Sequence, residues 1–552
     1  MSEIKKQNQH KQTFIEGALT SSIGILVSKA LGLLYVSPLS RMAGSANTVF
    51  YSYGYTYYNI LLNICGAGLP FAIAALVSKY STRNDYKAVL TLRKLGMSIM
   101  LGLGFTLSLV FIFVANPLAS QALGSQASSE DIAILVNVFH ILVLAVMTVP
   151  YLSAYRCFWQ GLKELKPYAF SQVLEQFVRV FSMLGLGAFC VYILKMDGIY
   201  AIYAAMGAAF LAAFVALLYY IKFDRKNIGK IRALAKNQQR KSASNKKLAI
   251  ELVSFGLPFA ISSILGNSQD IVNNTFFMQE IIKTGVDQET GMMMLSMIQY
   301  QSLNLIAIPQ VLATGFPSGI VPYMTAALEQ RNIKQLRKYV IQCLDVVMYI
   351  GIPLCMCICF LSRPLYSLFY GTESLELGAQ VLQWSTLVAI SGTFSPICTS
   401  MMMTLKMRGK VIGYLAVTFV VKFVSFFPLV KTMGYPGAIV SSCLASCVLI
   451  FLSLKAINNR YGVTYGKLVL HFIKVMISCL AMNGVFVIFN LFGIDGTYGS
   501  LAKNFLILGI KGIAGVGVYV WVSFMLNLPQ ALLHKNTKGI INLIKSKLRL
   551  AR

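Results

Sequence analysis

The chain has 552 residues, 57% of them hydrophobic and only 12% charged, with a formal net charge of +29. A soluble domain carries about 25% charged residues, so a water-exposed globule is excluded, and a mean hydropathy of +0.67 places most of the mass in a bilayer. The basic residues lie in connections beside apolar segments, so the charge is read as membrane orientation and attraction to anionic lipid, not as nucleic acid binding.

Residues 1–13 are polar and carry Lys5, Lys6 and Lys11. The apolar segment that follows is full length and lacks a small-residue cleavage site, so it reads as a retained first helix and not a signal peptide. Crossing a hydrocarbon core of roughly 30 Å takes about 20 apolar residues. Fourteen stretches meet that length: 14–38, 48–78, 95–116, 132–156, 168–194, 199–221, 249–281, 292–326, 340–361, 376–404, 411–430, 437–455, 469–492 and 502–527. The expected fold is therefore an all-α polytopic membrane protein.

Of the 48 Lys and Arg residues, 37 fall in every second connection, beginning with the N-terminal segment. Arg41, Lys195, Lys283, Arg363 and Lys431 are the basic residues of the alternate connections. By the positive-inside rule the basic connections are cytoplasmic, and an even helix number puts both termini inside. The longest basic connection separates six helices from eight. The expected divisions are an N-lobe over 1–221, a basic linker over 222–248, a C-lobe over 249–456, two further helices within 457–527, and a basic cytoplasmic tail over 528–552.

The two halves resemble each other. Gly68-Leu69-Pro70-Phe71-Ala72-Ile73 in helix 2 matches Gly315-Phe316-Pro317-Ser318-Gly319-Ile320 in helix 8. Each is followed by an Arg-Asn pair, Arg83-Asn84 and Arg331-Asn332. Both helices run outside to inside, so the repeat is parallel, about an axis along the membrane normal. Transporters use such repeats and hold substrate between the halves.

Enzyme chemistry finds little support. The outer loops are short and poor in acids, and none of His10, His140, His471 and His534 is placed beside a carboxylate in sequence. No Gly-rich phosphate loop ends in Lys-Ser/Thr, so a built-in ATPase is absent. The eleven cysteines form no CxxC pair, so neither zinc nor a disulfide framework is expected.

Ionisable groups at membrane depth are expensive and face a cavity or a partner. Lys29 lies well inside helix 1. Glu175 and Arg179 are one turn apart on helix 5, beside Gln172 and Gln176, and can pair on one face; the pair reads as a cavity group or as a structural ion pair. Asp270 stands among Asn267, Gln269, Asn273 and Asn274 on helix 7 and reads as a cavity group or as a helix-helix contact. Lys422 is central in helix 11. Neither Lys29 nor Lys422 has an acid nearby on its own helix, so each needs an acid from another helix or an anionic ligand. Lys474 and Lys503 are close enough to span ends to snorkel, whereas Lys511 is deeper. Pro70, Pro258, Pro309, Pro317 and Pro322 interrupt helices at membrane depth, which removes backbone hydrogen bonds and bends them. Helix 8 carries three of these prolines and is the candidate for movement.

The segment Tyr155-Arg156-Cys157-Phe158-Trp159-Gln160-Gly161-Leu162-Lys163, followed by Pro167 and by Ser171-Gln172-Val173-Leu174-Glu175-Gln176-Phe177-Val178-Arg179, resembles the MurJ- and SpoVB-like (YtgP-type) lipid II flippases of Gram-positive bacteria. These belong to the multidrug/oligosaccharidyl-lipid/polysaccharide exporter superfamily. Ser28-Lys29-Ala30-Leu31-Gly32, with Gly44 ending helix 1, is similar to their first-helix signature. The likeness spans essentially the whole chain. It implies two six-helix lobes in a V around a central cavity, with helices 13 and 14 beside them. It also implies that lipid II, the undecaprenyl-diphosphate-linked peptidoglycan precursor, moves from inner to outer leaflet, its headgroup in the cavity and its tail in lipid.

On this resemblance Lys29, Arg41, Arg179 and Lys422 are the expected diphosphate ligands. Glu175, Gln172, Asp270, Asn274, Asn304, Pro309 and Pro317 are the expected polar and gating positions. Relatives carry a basic residue at the position of Lys29. Proteobacterial relatives carry an Arg-Asp pair where this chain has Tyr35 and Val36, and a basic residue where it has Asn304. Lys422 stands in the lobe where some relatives bind sodium, as a replacement for that cation. The resemblance implies no catalytic residue and no cofactor, with an Na+ or H+ gradient or the membrane potential as energy source. It further implies a bacterial cell membrane location, a monomer contacting the cell-wall synthesis machinery, and a part in cell shape. The alternatives are a flippase for another undecaprenyl-linked glycan (capsule, teichoic acid or spore cortex), a MATE-type drug exporter, and a membrane glycan transferase.

Overall fold

The structure is a computed structural model, and it describes residues 35–44, 47–66, 69–124, 127–239, 242–310, 324, 327–328 and 330–529. Lys29, Pro317, Pro322, most of helix 1 and most of the C-terminal tail lie outside the described residues. So do Gly68 and residues 315–320, which carry half of the sequence match between helices 2 and 8.

The chain forms two compact units, residues 1–299 and 300–552. In the first, the helices are α1 Val36–Ala43, α2 Thr48–Gly66, α3 Leu69–Thr82, α4 Tyr86–Leu123, α5 Ser129–Gly161, α6 Leu165–Ala188, α7 Ile199–Lys236, α8 Asn245–Gly266, α9 Ser268–Ile282 and α10 Gln288–Ser296. In the second they are α11 Ile333–Phe360, α12 Ser362–Tyr370, α13 Leu375–Thr404, α14 Arg408–Met433, α15 Tyr435–Tyr461, α16 Gly466–Leu491 and α17 Leu501–Met525. Single π-helical turns, Phe189–Ile193 and Met297–Gln301, continue α6 and α10. No strand occurs among the described residues.

Eleven helices of the described residues are long and apolar enough to cross a membrane. They correspond to expected spans 3–7 and 9–14. Span 2 is described as α2 and α3, on either side of residues 67–68, which lie outside the described residues. Span 7 was expected unbroken with its bend at Pro258; instead it breaks at Asn267, which ends α8 and starts α9. Asn267 satisfies the break locally, its N–H and its Nδ2 both donating to Ser263 O, at 3.1 and 2.7 Å. The side chain thus takes over a carbonyl that the ending helix leaves open.

The outer girdle is apolar. Phe113, Phe181 and Ile513 are 79%, 72% and 78% exposed, an arrangement that only a hydrocarbon surround makes favourable. The chain is a multi-pass membrane protein.

The internal repeat is written in the backbone. In the first half, Asn84 and Lys163 adopt left-handed φ of 55° and 68°; in the second, Arg331 and Lys406 adopt 55° and 59°. Non-glycine residues seldom sit there, so four such turns in corresponding connections are informative. Each is followed by the same reach-back hydrogen bond to the fifth residue before it: Asp85 N to Tyr80 O, Glu164 N to Trp159 O, Asn332 N to Ala327 O and Met407 N to Met402 O, all 2.9–3.0 Å. The opposite helix ends repeat as well, with Gly124 and Gly371 at φ 88° and 89°. Asp85 and Asn332 both cap the next helix, accepting from Ala88 N and Gln335 N. The structural match is therefore Asn84-Asp85 with Arg331-Asn332, one residue out of step with the sequence match of the two Arg-Asn pairs. Backbone conformation and capping fix the register, and residue identity at the left-handed position does not.

Contacts at the basic ends tie the first unit together. The Arg93 guanidinium pairs with the buried Asp224 carboxylate, which also accepts from Trp159 Nε1 at 3.2 Å. This joins α4, α5 and α7. Lys79 Nζ lies 2.9 Å from Glu251 Oε2, and Tyr80 Oη donates to the same oxygen at 3.1 Å, joining α3 to α8. Asp85 pins the basic connection: Gln238 Nε2, Ser242 Oγ and Ala243 N donate to its carboxylate. The sequence set a lobe boundary in that connection at 222–248; the compact first unit extends past it, through α8, α9 and α10.

In the second unit, α16 and α17 are not loosely attached. Met348 and Ile352 of α11 share a core with Val475, Cys479, Met482, Phe486 and Tyr519, and Tyr519 Oη donates to Tyr349 O at 2.8 Å.

Candidate functional site

Among the described residues, a cluster of three buried charged side chains lies at α5 and α6. The expected Glu175–Arg179 pair is present, Arg179 Nη2 standing 3.1 Å from Glu175 Oε1. One helical turn along α6 brings these side chains to the same face. A third member joins them: Arg156 Nη2 is 2.8 Å from Glu175 Oε2, and Arg156 Nε donates to Ser171 Oγ at 3.0 Å. Ser171 Oγ in turn donates to Tyr168 O at 3.0 Å, and Gln172 Nε2 donates to Tyr168 Oη at 3.1 Å.

All three charged side chains are at least 85% buried. Two guanidinium groups around one carboxylate leave the trio with a net charge of +1. Taking that charge out of water costs several kcal/mol unless something compensates it. Donors remain available: among the described residues Arg179 Nε and Arg156 Nη2 complete no hydrogen bond, and the Tyr58 hydroxyl lies beside Arg179. A row of phenols from α2 faces the same guanidinium, Tyr51, Tyr55 and Tyr58, with Tyr51 and Tyr55 stacked at 5.7 Å. Tyr51 Oη donates to Tyr35 Oη at 3.2 Å.

Arg156 was missed because it stands at the basic end of its span and counts toward the cytoplasmic charge. The available signal was its spacing from Glu175: a turn between α5 and α6 folds the two helix ends side by side.

Lys422 departs from expectation. It was expected to need an acid or an anionic ligand, and the structure supplies neutral oxygens instead. Its Nζ donates to Ala438 O at 3.0 Å, Ser441 Oγ at 2.7 Å and Ser442 Oγ at 2.9 Å, all on α15, and lies over the Phe426 ring at 4.9 Å. The residue is fully buried. These contacts hold the ammonium in the packing of α14 against α15.

Lys474 reaches a helix end. Its Nζ donates to Leu526 O at 2.9 Å, at the C-terminal end of α17. Lys511, buried, returns the favour to the other helix, donating to Asn490 Oδ1 at 2.6 Å and Asp495 O at 2.8 Å. Each lysine places positive charge near the C-terminal end of the other's helix, where the macrodipole favours it.

Arg41 is exposed in the last turn of α1. Asp270 accepts through its backbone carbonyl from Asn274 Nδ2 and Gln299 Nε2, which places these residues in contacts between α9 and the turn after α10. Asn274 Oδ1 and, in the second unit, Asn304 Nδ2 are buried without a partner among the described residues. Pro309 is buried near the end of the described part of helix 8.

Comparison with known proteins follows the same division. The family described as polysaccharide biosynthesis protein matches residues 14–293, and the MatE family matches residues 300–429. Lipid II flippase MurJ of Bacillus subtilis (strain 168) is 28% identical over 532 residues, covering 95% of this chain and 97% of its own. Stage V sporulation protein B of the same organism is 23% identical, covering 78% and 81%. Among solved structures, lipid II flippase MurJ in an inward closed conformation has a TM-score of 0.65 at 14% identity, covering 92% of this chain and 99% of that one. An inward-facing multidrug resistance MATE transporter has a TM-score of 0.61 at 14% identity, covering 80% and 94%.

Proposed function

Because this chain belongs to the polysaccharide biosynthesis protein family, we propose that it is a flippase and not an enzyme, carrying undecaprenyl-diphosphate-linked lipid II from the inner to the outer leaflet by alternating access. The observation that carries this reading is the buried, net-cationic Arg156–Glu175–Arg179 trio. A diphosphate is the kind of group that pays for such a charge, because phosphate oxygens accept bidentate hydrogen bonds from guanidinium. The full-length likeness to a lipid II flippase supports the substrate.

On this reading the N-lobe of residues 1–221 and the C-lobe of residues 249–456 rock about the cavity, with the basic connections and both termini in the cytoplasm. Arg156 and Arg179 receive the diphosphate, and Lys29 joins them from helix 1. Lys422 serves the C-lobe structurally. The Lys79–Glu251 contact joins the repeats near their basic ends and must part for the cytoplasmic side to open. The energy source is the membrane potential or an Na+ or H+ gradient; one elementary charge crossing 100 mV is worth about 2.3 kcal/mol. The protein acts as a monomer in the bacterial cell membrane. A second reading, a flippase for another undecaprenyl-linked glycan, is favoured by the likeness to Stage V sporulation protein B.

The test uses cells depleted of their own lipid II flippase and expressing this protein. An external enzyme that cleaves lipid II reports how much has reached the outer leaflet. Restored cleavage supports the proposal. Lipid II that stays protected, with the protein well expressed, removes it and leaves the second reading.

A further inference from the structure

Glu175 is the one acid of the trio. Its two oxygens are divided between two arginines, Oε2 at 2.8 Å from Arg156 and Oε1 at 3.1 Å from Arg179. The arginines come from different helices, α5 and α6, and meet only at this carboxylate. Without it, two guanidinium groups would face each other at membrane depth, a repulsive arrangement in a low dielectric. A carboxylate bridging two guanidinium groups presents oxygens much as one phosphate of a diphosphate would.

We propose that Glu175 is a built-in stand-in for the substrate anion: it occupies the two arginines in the empty protein and is displaced from them when a diphosphate arrives. This rests on the flippase reading for its biological use, though not for its chemistry. The exchange breaks the Glu175–Arg156 ion pair and the Glu175–Arg179 hydrogen bond and forms guanidinium–phosphate ones; no covalent bond changes. Arg179 Nε and Arg156 Nη2, which complete no hydrogen bond among the described residues, and the neighbouring Tyr58 hydroxyl supply the contacts by which a diphosphate outbids a single carboxylate. The displaced carboxylate can turn to Gln172, three residues away on the same helix and the same face.

The consequence is a site with moderate affinity by construction. Charge alone would make two buried arginines hold a diphosphate too firmly to release it. A competing internal anion lowers the affinity of the loaded state and resets the site after release. A purely structural ion pair would do neither.

The probes are inorganic pyrophosphate and farnesyl diphosphate, titrated into the full chain in nanodiscs of phosphatidylethanolamine and phosphatidylglycerol. Glu175→Gln should bind both at least tenfold more tightly than the unaltered protein. Glu175→Asp keeps the charge but is too short to hold both arginines, so it should fall between the two; it also covers the case in which Glu175→Gln does not fold. Arg156→Gln in the Glu175→Gln background should return affinity to the unaltered level or below. Tighter binding of pyrophosphate and farnesyl diphosphate alike assigns the site to the diphosphate group; tightening of farnesyl diphosphate alone assigns it to the lipid-borne form. Unchanged or weaker binding in both folded variants overturns the proposal. Binding is read without transport, so a protein that shows the tightening yet flips no lipid II sinks the flippase reading and spares the anion exchange.

Discussion

Arg156 Nη2 and Glu175 Oε2 stand 2.8 Å apart across the α5–α6 turn, nineteen positions apart in a sequence that had credited the arginine to a cytoplasmic loop. This contact turns an ordinary i,i+4 ion pair into a charged trio. An i,i+4 pair is locally neutral and can be purely structural; a trio with net charge asks for an anion.

Arg156→Gln and Arg179→Gln should each reduce lipid II exposure in the external cleavage assay by about 10- to 100-fold, the worth of a lost charge-assisted hydrogen bond of roughly 1.5–3 kcal/mol. Arg156→Lys should recover only part of the loss, because an ammonium cannot donate to Ser171 and to a second acceptor in the planar geometry of a guanidinium. Equal activity of Arg156→Gln and the unaltered protein would remove Arg156 from the path.

The Asp85 carboxyl gives a pH dependence. Burial by itself would raise its pKa, but hydrogen bonds from Gln238, Ala88 N, Ser242 and Ala243 N outweigh burial and hold it below the ordinary carboxylate value. A depressed folded-state pKa contributes stability that is present above the unfolded value of about 3.9 and is lost as pH falls through the folded value. The basic connection should thus become sensitive to protease as pH drops below about 4, and Asp85→Asn should show that sensitivity at neutral pH with little further change on acidification. Limited proteolysis with an acid-tolerant protease reads both.

Lys422→Met should lower the melting temperature by an amount corresponding to about 1–3 kcal/mol, since Ser441 and Ser442 lose a charged donor in a dry contact. Binding of pyrophosphate should not change. A Lys422→Met protein that melts normally but binds pyrophosphate poorly would return Lys422 to the ligand set.

Gly437 allows α14 and α15 to touch: a Cβ there would lie 2.1 Å from Leu429 O and 2.3 Å from Leu429 C, both backbone. Gly437→Ala should destabilise the protein by about 1–3 kcal/mol or more through overpacking. Gly413→Ala, on the same α14 with nothing within 4 Å of the added carbon, should be neutral or slightly stabilising. Paired thermal melts in one detergent check the contrast.

Lys79 and Glu251 are partly exposed, so breaking their pair should shift stability by no more than about 1 kcal/mol. Its effect on flipping should be larger. Lys79→Glu should slow lipid II exposure by placing two acids together, and Lys79→Glu with Glu251→Lys should restore it. Failure of the double charge swap to recover activity would show that the contact is incidental.

The sequence by itself determined the solvent, the helix order and the candidate depth of the charges. These follow from apolar runs of bilayer length and from basic residues in alternate connections, and both are properties of consecutive residues. Glu175 and Arg179 were legible as a pair because they are one turn apart on one helix. Partners from other helices were not. That Lys422 reaches Ala438, Ser441 and Ser442, that Lys474 and Lys511 each reach the end of the other's helix, and that Arg156 closes on Glu175 were decided by tertiary packing. A buried charge states only that compensation exists. Which atoms compensate it depends on which helix faces lie against each other, and no periodicity within a single helix encodes its neighbour.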